Sequence, residues 1–218
     1  KLIVTARDID TLEKAKMKAS KMYIASMAIA SDAIAVIVNP ASQDTVMTKG
    51  ILTDIILGKF PRKYTVVLDN ANSSLARYVA DSLLQSDSIP NTHAVNTNVA
   101  VLDYVAKNTN AIGLIGVSHV YNPEDTSGMG GFYKNIKVVA MRDDSTYKVY
   151  QPYQYAILYH YYPMTRNIYY VTSESYSDAL ASGFIGFLCN TQGQMIFKKS
   201  WMVPLRANLE VKEVEITR

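Results

Sequence analysis

The sequence predicts an α/β fold, and three observations carry that prediction. Short β-branched runs alternate with segments of helical period from one end of the chain to the other. The run Ala33-Ile-Ala-Val-Ile-Val is apolar throughout and is closed by Asn39-Pro40, the pattern of a strand covered on both faces. A third run, Tyr64–Leu68, passes through a polar break at Asp69–Ser74 into Leu75, Val79 and Leu83, spaced every four residues on one helix face.

The elements follow in order. Residues 2–6 read as a buried strand. Asp10 and Glu13 form a capping-box pattern, which predicts a helix from about Thr11 to Lys21 with Lys14, Lys16, Lys18 and Lys21 on a solvated face. After the 33–40 strand, Thr48 caps a helix carrying Ile51, Leu52, Ile55 and Ile56, stopped by Gly58 and Pro61. In the Asp69–Ser74 break, Asn72 or Ser73 is the natural N-cap, because a short side-chain oxygen accepts from the first-turn N–H groups. Asn96-Thr97-Asn98 precedes a short helix through Val99, Leu102 and Val105. Ala111–Val117 is an apolar strand in which Gly113 and Gly116 permit close packing. A loop containing Gly128-Met-Gly-Gly131 leads to a strand over Ile136–Met141. Residues 147–171 are rich in tyrosine. Aromatic and β-branched content predicts extended segments at Tyr155–Tyr162 and Ile168–Val171, with the rings serving mainly as packing. Helices over Leu180–Cys189 and Thr191–Lys199, then Trp201–Leu205 and an alternating strand at Leu209–Ile216, close the chain.

Composition narrows the function. At 218 residues the chain can form one large domain or two small lobes, and 49% apolar against 19% charged residues excludes disorder. The net charge of +3, with no clustered basic face, gives no footprint for nucleic acid. No apolar run approaches the length of a membrane span. Cys189 stands alone, so neither an intrachain disulfide nor a paired-cysteine metal site can form, and the compartment stays open between cytosol and bacterial envelope. The chain opens on a strand already under way, without a signal peptide, which suggests a fragment or a processed protein.

Motifs for catalysis are missing. No stretch fits a P-loop, a dinucleotide-binding glycine pattern or a nucleophile elbow. His93, His119 and His160 are scattered with no ligand-spaced partners, and Asp143-Asp144 reads as a solvated turn. The expectation is no enzyme, no cofactor and no metal. What remains is the Asn72-Ser73-Ser74 turn, where a strand meets a helix start and presents unpaired N–H donors to an anion. Arg77, one turn further on, would add charge by folding back.

Several segments resemble, in the same order, the substrate-binding component of bacterial phosphate ABC transporters, the PstS-like periplasmic binding proteins. They are Val4–Asp10 with Glu13, Ile29–Pro40, Leu52–Lys59, Val105–Gly116, Tyr162–Tyr169, and Gly183–Leu188 with Gly193-Gln194 and Val203–Leu205. The resemblance implies a two-lobed type 2 periplasmic-binding-protein fold, with lobe 1 (partial) at 1–40, lobe 2 at 41–152 and a return segment of lobe 1 at 153–218. It implies a ligand held between the lobes by hinge closure, and a first lobe incomplete at its N-terminus. The family's Gly-Ser-Gly-Thr phosphate turn falls on Asn72-Ser73-Ser74-Leu75, which exchanges the threonine for leucine, and the family's arginine falls near Asp69. Arg7 and Asp8 stand where the family places a first-lobe site residue, so Arg7 or Arg77 would supply the missing charge. The implied function is non-catalytic binding of an oxyanion, most simply phosphate, for delivery to an ABC transporter permease in a bacterial periplasm or cell envelope. Any membrane association would come through a lipid anchor outside this chain. The alternative is a PstS-like binding or sensory module that has lost or changed phosphate specificity.

Overall fold

A computed structural model describes residues 1–86, 88–122, 124, 131–173 and 179–207. The chain divides into two units, Lys1–Ser31 with Asn167–Arg218, and Asp32–Arg166. These divisions fall at 31/32 and 166/167, where the sequence reading puts 40/41 and 152/153. Both fall inside continuous strands, and a strand of uniform apolar character carries no mark of where its packing partners change.

The first unit begins with strand β1 (Leu2–Thr5) and helix α1 (Thr11–Ala19), and strand β2 (Ala25–Val38) then passes into the second unit. There follow β3 (Val46–Met47), α2 (Lys49–Ile56), β4 (Thr65–Leu68) and α3 (Ser74–Tyr78), which runs on as a π-helical turn over Val79–Leu84. Next come β5 (Thr92–Ala94), α4 (Asn98–Lys107), β6 (Ala111–Gly116), β7 (Lys137–Val138), β8 (Ala140–Arg142), β9 (Val149–Tyr150) and α5 (Gln154–Leu158). Strand β10 (Thr165–Thr172) returns to the first unit, which ends in α6 (Ala179–Cys189), α7 (Thr191–Lys199) and β11 (Val203–Pro204).

In the second unit β4 lies parallel between β5 and β6, while β2 runs antiparallel to β6. The registers Ile34↔Gly116 and Val67↔Gly113 bring three points to one end of the sheet: the Asp32 end of β2, the exit of β6, and the turn after β4. Residues Ala33–Val38, Val66–Leu68 and Ile112–Ile115 are almost wholly buried, as an apolar strand covered on both faces requires. Gly113 is the close-packing position. A Cβ there would stand 2.7 Å from Ile37 Cγ1 and 2.9 Å from Val105 Cγ2. Tyr162, 1% exposed, donates its hydroxyl to Ile34 O at 2.9 Å and ties the segment before β10 to β2. Tyr162→Phe keeps the ring and removes that bond. It should cost about 1 kcal/mol, read as a lower urea midpoint at unchanged slope.

In the first unit β1 pairs antiparallel with β10, and β11 pairs with β2. Ile29, Tyr170 and Leu188 form the core, with Leu2, Met27, Ile168, Ile185, Cys189 and Phe197 against it. The Asp10–Glu13 capping box forms as the sequence predicts, although α1 stops at Ala19 and Lys21 takes a left-handed conformation (φ 54°). Asn190 caps α7 by accepting from Gly193 N at 3.0 Å. Gln194, 1% exposed, donates to Leu188 O (2.7 Å) and Ile29 O (3.1 Å) and accepts from Arg206 N (2.7 Å).

The structure corrects several expectations. Strand β1 is not buried, since Ile3 and Val4 are 58% and 49% exposed. The Tyr155–Tyr162 segment is a helix, α5, followed by a turn with His160 at φ 56°, not a strand. Ala156 and Ile157 are its buried residues, and their packing outweighs the β preference of the surrounding tyrosines. The Ile136–Met141 strand is two strands, because Lys137–Val138 pairs with β2 while Ala140–Met141 pairs with β3. The Leu209–Ile216 strand lies outside the described residues, as do Gly128–Gly130 of the glycine loop.

Candidate functional site

The turn between β4 and α3 is built from short polar residues bonding to their own backbone. Asn72 N donates to Asn70 Oδ1 (2.8 Å) and Ser73 N to Asn70 O (3.1 Å). Ser73 is the N-cap, its Oγ accepting from Ala76 N at 3.0 Å. Among the described residues this leaves the N–H groups of Ser74 and Leu75 without a hydrogen bond at the helix start. Two adjacent free donors of this kind suit an anionic oxygen.

Beside them stands Arg166. Its Nη1 donates to Ser74 Oγ at 3.3 Å, and its Nε and Nη2 donate to Asp32 Oδ2 at 3.0 and 2.9 Å. The pair is largely dry, with side chains 12% and 5% exposed. Burial pushes the Asp32 carboxyl above its ordinary pKa, against the downward pull of Arg166, of the Ala33 amide and of His119. Asp32 Oδ1 is buried and has no hydrogen-bond partner among the described residues. It is therefore an acceptor held ready in a site whose other groups are donors. Gly116, at the end of β6, borders the pair; a Cβ there would lie 3.6 Å from Asp32 Oδ2 and 3.9 Å from Arg166 Nη2. His119 follows, with its Nε2 3.1 Å from Asn98 Nδ2.

The six residues singled out from the sequence part company here. Ser74 meets Arg166. Asn72, Ser73 and Arg77 line an open groove of about 540 Å³ bounded by Leu68, Thr92 and Ala94. Arg77 does not fold back over the turn; its Nε lies 3.5 Å from Asp81 on an exposed helix face, the ordinary outcome for opposite charges four residues apart. Arg7 and Asp8 belong to the first unit and are engaged locally. Arg7 makes a bidentate pair with Glu13, both contacts 2.7 Å. Asp8 accepts from Ser26 Oγ, Lys14 Nζ and Ile9 N, which outweigh its burial and hold its pKa below the ordinary value. Leu75 is core, 3% exposed, so its side chain contributes packing and only its N–H faces the question of ligand. Asp69 keeps a buried, unpartnered Oδ1 at the start of the turn.

Sequence reasoning missed Asp32 and Arg166 as site residues. One signal was available for Asp32, which is the lone charged residue within the apolar run Ile24–Val38. Arg166 lies within the Tyr162–Tyr169 segment that carries the resemblance, but nothing local joins it to Asp32, 134 residues away.

Parallel strands ending at a capped helix start, with a dry ion pair beside it, define an α/β binding domain. The chain belongs to the PBP superfamily domain family, whose model matches residues 3–191, and it has the type 2 periplasmic-binding-protein-like fold. It is similar to an ABC-type phosphate transport receptor from Vibrio cholerae, at 22% identity and TM-score 0.69, over 93% of this chain and 79% of that one. A phosphate ABC transporter substrate-binding protein from Clostridium perfringens, solved with bound phosphate, matches at 19% identity and TM-score 0.69, over 94% and 79%. The regulatory domain of a LysR family regulator from Neisseria meningitidis matches at 10% identity and TM-score 0.57, over 94% and 77%. No curated protein matches the sequence.

Proposed function

We propose that the chain is a non-catalytic receptor for a small oxyanion that carries a proton, inorganic phosphate in the simplest case. The observation that carries this reading is the donor set at one end of the second unit's sheet. The free N–H groups of Ser74 and Leu75, the Ser74 hydroxyl and the Arg166 guanidinium stand together, with Asp32 Oδ1 as an unpartnered acceptor. The donors suit the anionic oxygens, and the acceptor suits a P–OH. Asn72 and Ser73 belong to the site by shaping the turn; Arg77, Arg7 and Asp8 have their charges engaged elsewhere and are not needed. The phosphate receptors among the similar structures support the same ligand, delivery to an ABC transporter permease, and a place in the bacterial cell envelope.

Titration calorimetry with phosphate and with sulfate at pH 7 tests this. Phosphate should bind and sulfate, which has no proton to offer Asp32, should bind at least about tenfold more weakly. Asp32→Asn should narrow that preference, since an amide can present a donor where the carboxylate presents only acceptors. No heat with either anion would remove phosphate as the ligand and leave a module of changed specificity, the reading in which the Asp69 carboxylate repels the anion.

A further inference from the structure

We propose that His119 adds a second positive charge to the oxyanion site when its ring is protonated, an inference that rests on the phosphate reading of that site. Among the described residues the donor set is short of charge. Arg166 gives its Nε and Nη2 to Asp32 Oδ2, so guanidinium and carboxylate largely cancel before an anion arrives. Arg77 is paired with Asp81, and Arg7 with Glu13. Tyr78, one turn after Ser74 on α3 and within electrostatic reach of Arg166, has its phenol pushed up by burial and stays neutral. An anion entering this site gives up water for N–H dipoles, a hydroxyl and a guanidinium that is already engaged. A further cation is worth most in such a place, because the ion pair is largely dry.

His119 stands beside that pair. It ends the short turn that follows β6. A Cβ on Gly116 would lie 3.7 Å from His119 Cδ2, 3.6 Å from Asp32 Oδ2 and 3.9 Å from Arg166 Nη2. The width of one methyl group therefore separates the ring from the pair. The Asp32 carboxyl feels it as well, since His119 joins Arg166 in pulling its pKa down against burial.

Asn98, the first residue of α4, holds the ring at 3.1 Å. An amide can keep that bond in both protonation states. Its Nδ2 donates to a neutral Nε2, and its Oδ1, once the amide turns over, accepts from a protonated one. Arg166 and the N-terminus of α4 repel a charged ring, while Asp32 attracts it. A bound oxyanion adds an attraction that the empty site lacks, so anion and proton each favour the binding of the other. Histidine is the side chain that gains its proton between pH 8 and pH 5, and His119 is exposed, so solvent supplies that proton directly. Exposure also screens the charge, which limits the gain to about threefold to tenfold in affinity.

Titration of the full chain and of His119→Gln with inorganic phosphate, at pH 5.5 and at pH 8, tests the assignment. The parent-to-variant affinity ratio should fall about threefold to tenfold from the lower pH to the higher. Phosphate's own ionisation drops out of that ratio, because both proteins meet the same mixture of species. His119→Lys, whose charge persists at pH 8, should bind phosphate more tightly than the parent at that pH. Thermal melts of both variants separate loss of the charge from loss of fold. A ratio that is the same at both pH values, whether one or larger, would overturn the proposal while phosphate binding by the parent keeps the reading of the site. No phosphate binding by the parent at either pH would overturn both.

Discussion

Replacing Arg166 with methionine should abolish oxyanion binding and destabilise the protein by about 3–5 kcal/mol at pH 7. The two effects have one source. The guanidinium spends two of its contacts on Asp32 Oδ2 and a third on Ser74 Oγ, so it is both the counter-charge of a buried acid and the cation of the proposed site. Methionine fills similar space but leaves Asp32 as an uncompensated buried charge. Burial already raises the Asp32 pKa with Arg166 in place, and loss of the arginine raises it further. An acid with a raised folded-state pKa disfavours the fold as pH climbs from its unfolded value toward its folded value. The penalty of Arg166→Met should therefore be smaller near pH 4 than at pH 7. Urea unfolding at both pH values, alongside phosphate titration, reads this out. The Asp32→Leu, Arg166→Met double variant should regain most of the stability, because neither charge remains, yet should not regain binding. If Arg166→Met alone keeps phosphate affinity within about threefold, the guanidinium is no ligand and the donor set reduces to the helix start.

That pair also marks where the sequence stopped being legible. Local chemistry was readable: the N-caps at Asp10 and Thr48 form, and of Asn72 and Ser73 it is Ser73 that caps, because each involves a side chain reaching three residues along the chain. The apolar run Ala33–Val38 is the central strand it resembles, although the strand starts earlier, at Ala25. Long-range consequences were not readable. Asp32 reads as one polar interruption in a strand until Arg166 arrives beside it. Tyr155–Tyr162 reads as extended until the packing of Ala156 and Ile157 turns it into a helix. Arg77 and Arg7 were sensible candidates by charge and place, but each has a nearer acid, Asp81 and Glu13, and short-range pairing prevails. The turn itself was found correctly as a helix cap. Its role at a site rests on a residue from the far end of the second unit.

Gly193→Ala should destabilise the first unit by about 3–5 kcal/mol, whereas Gly183→Ala and Gly186→Ala should each stabilise it by about 0.5–1 kcal/mol. A glycine-to-alanine change in a helix has the same intrinsic benefit at all three positions, so the opposite signs isolate the surroundings. Around Gly183 and Gly186 nothing among the described residues lies within 4 Å of the added carbon. At Gly193 the carbon would stand 2.1 Å from Phe187 O, 2.8 Å from Leu188 Cα and 2.9 Å from Phe187 C. All three are backbone atoms of α6, so no side chain can rotate away and α6 must move off α7. That movement pulls on Gln194, whose amide bonds to Leu188 O, Ile29 O and Arg206 N close the same corner from the buried side. Those bonds would weaken, adding about 1 kcal/mol for each, although Ile29 O keeps the bond it accepts from Leu205 N at 3.1 Å. Thermal melts of the three variants should show a fall of about 6–15 °C for Gly193→Ala and a rise of about 1–4 °C for each of the others. A Gly193→Ala variant that melts with the parent would mean the α6–α7 corner can open without cost. In that case the Gln194 bonds, and not the close approach of the two helices, would hold the first unit together.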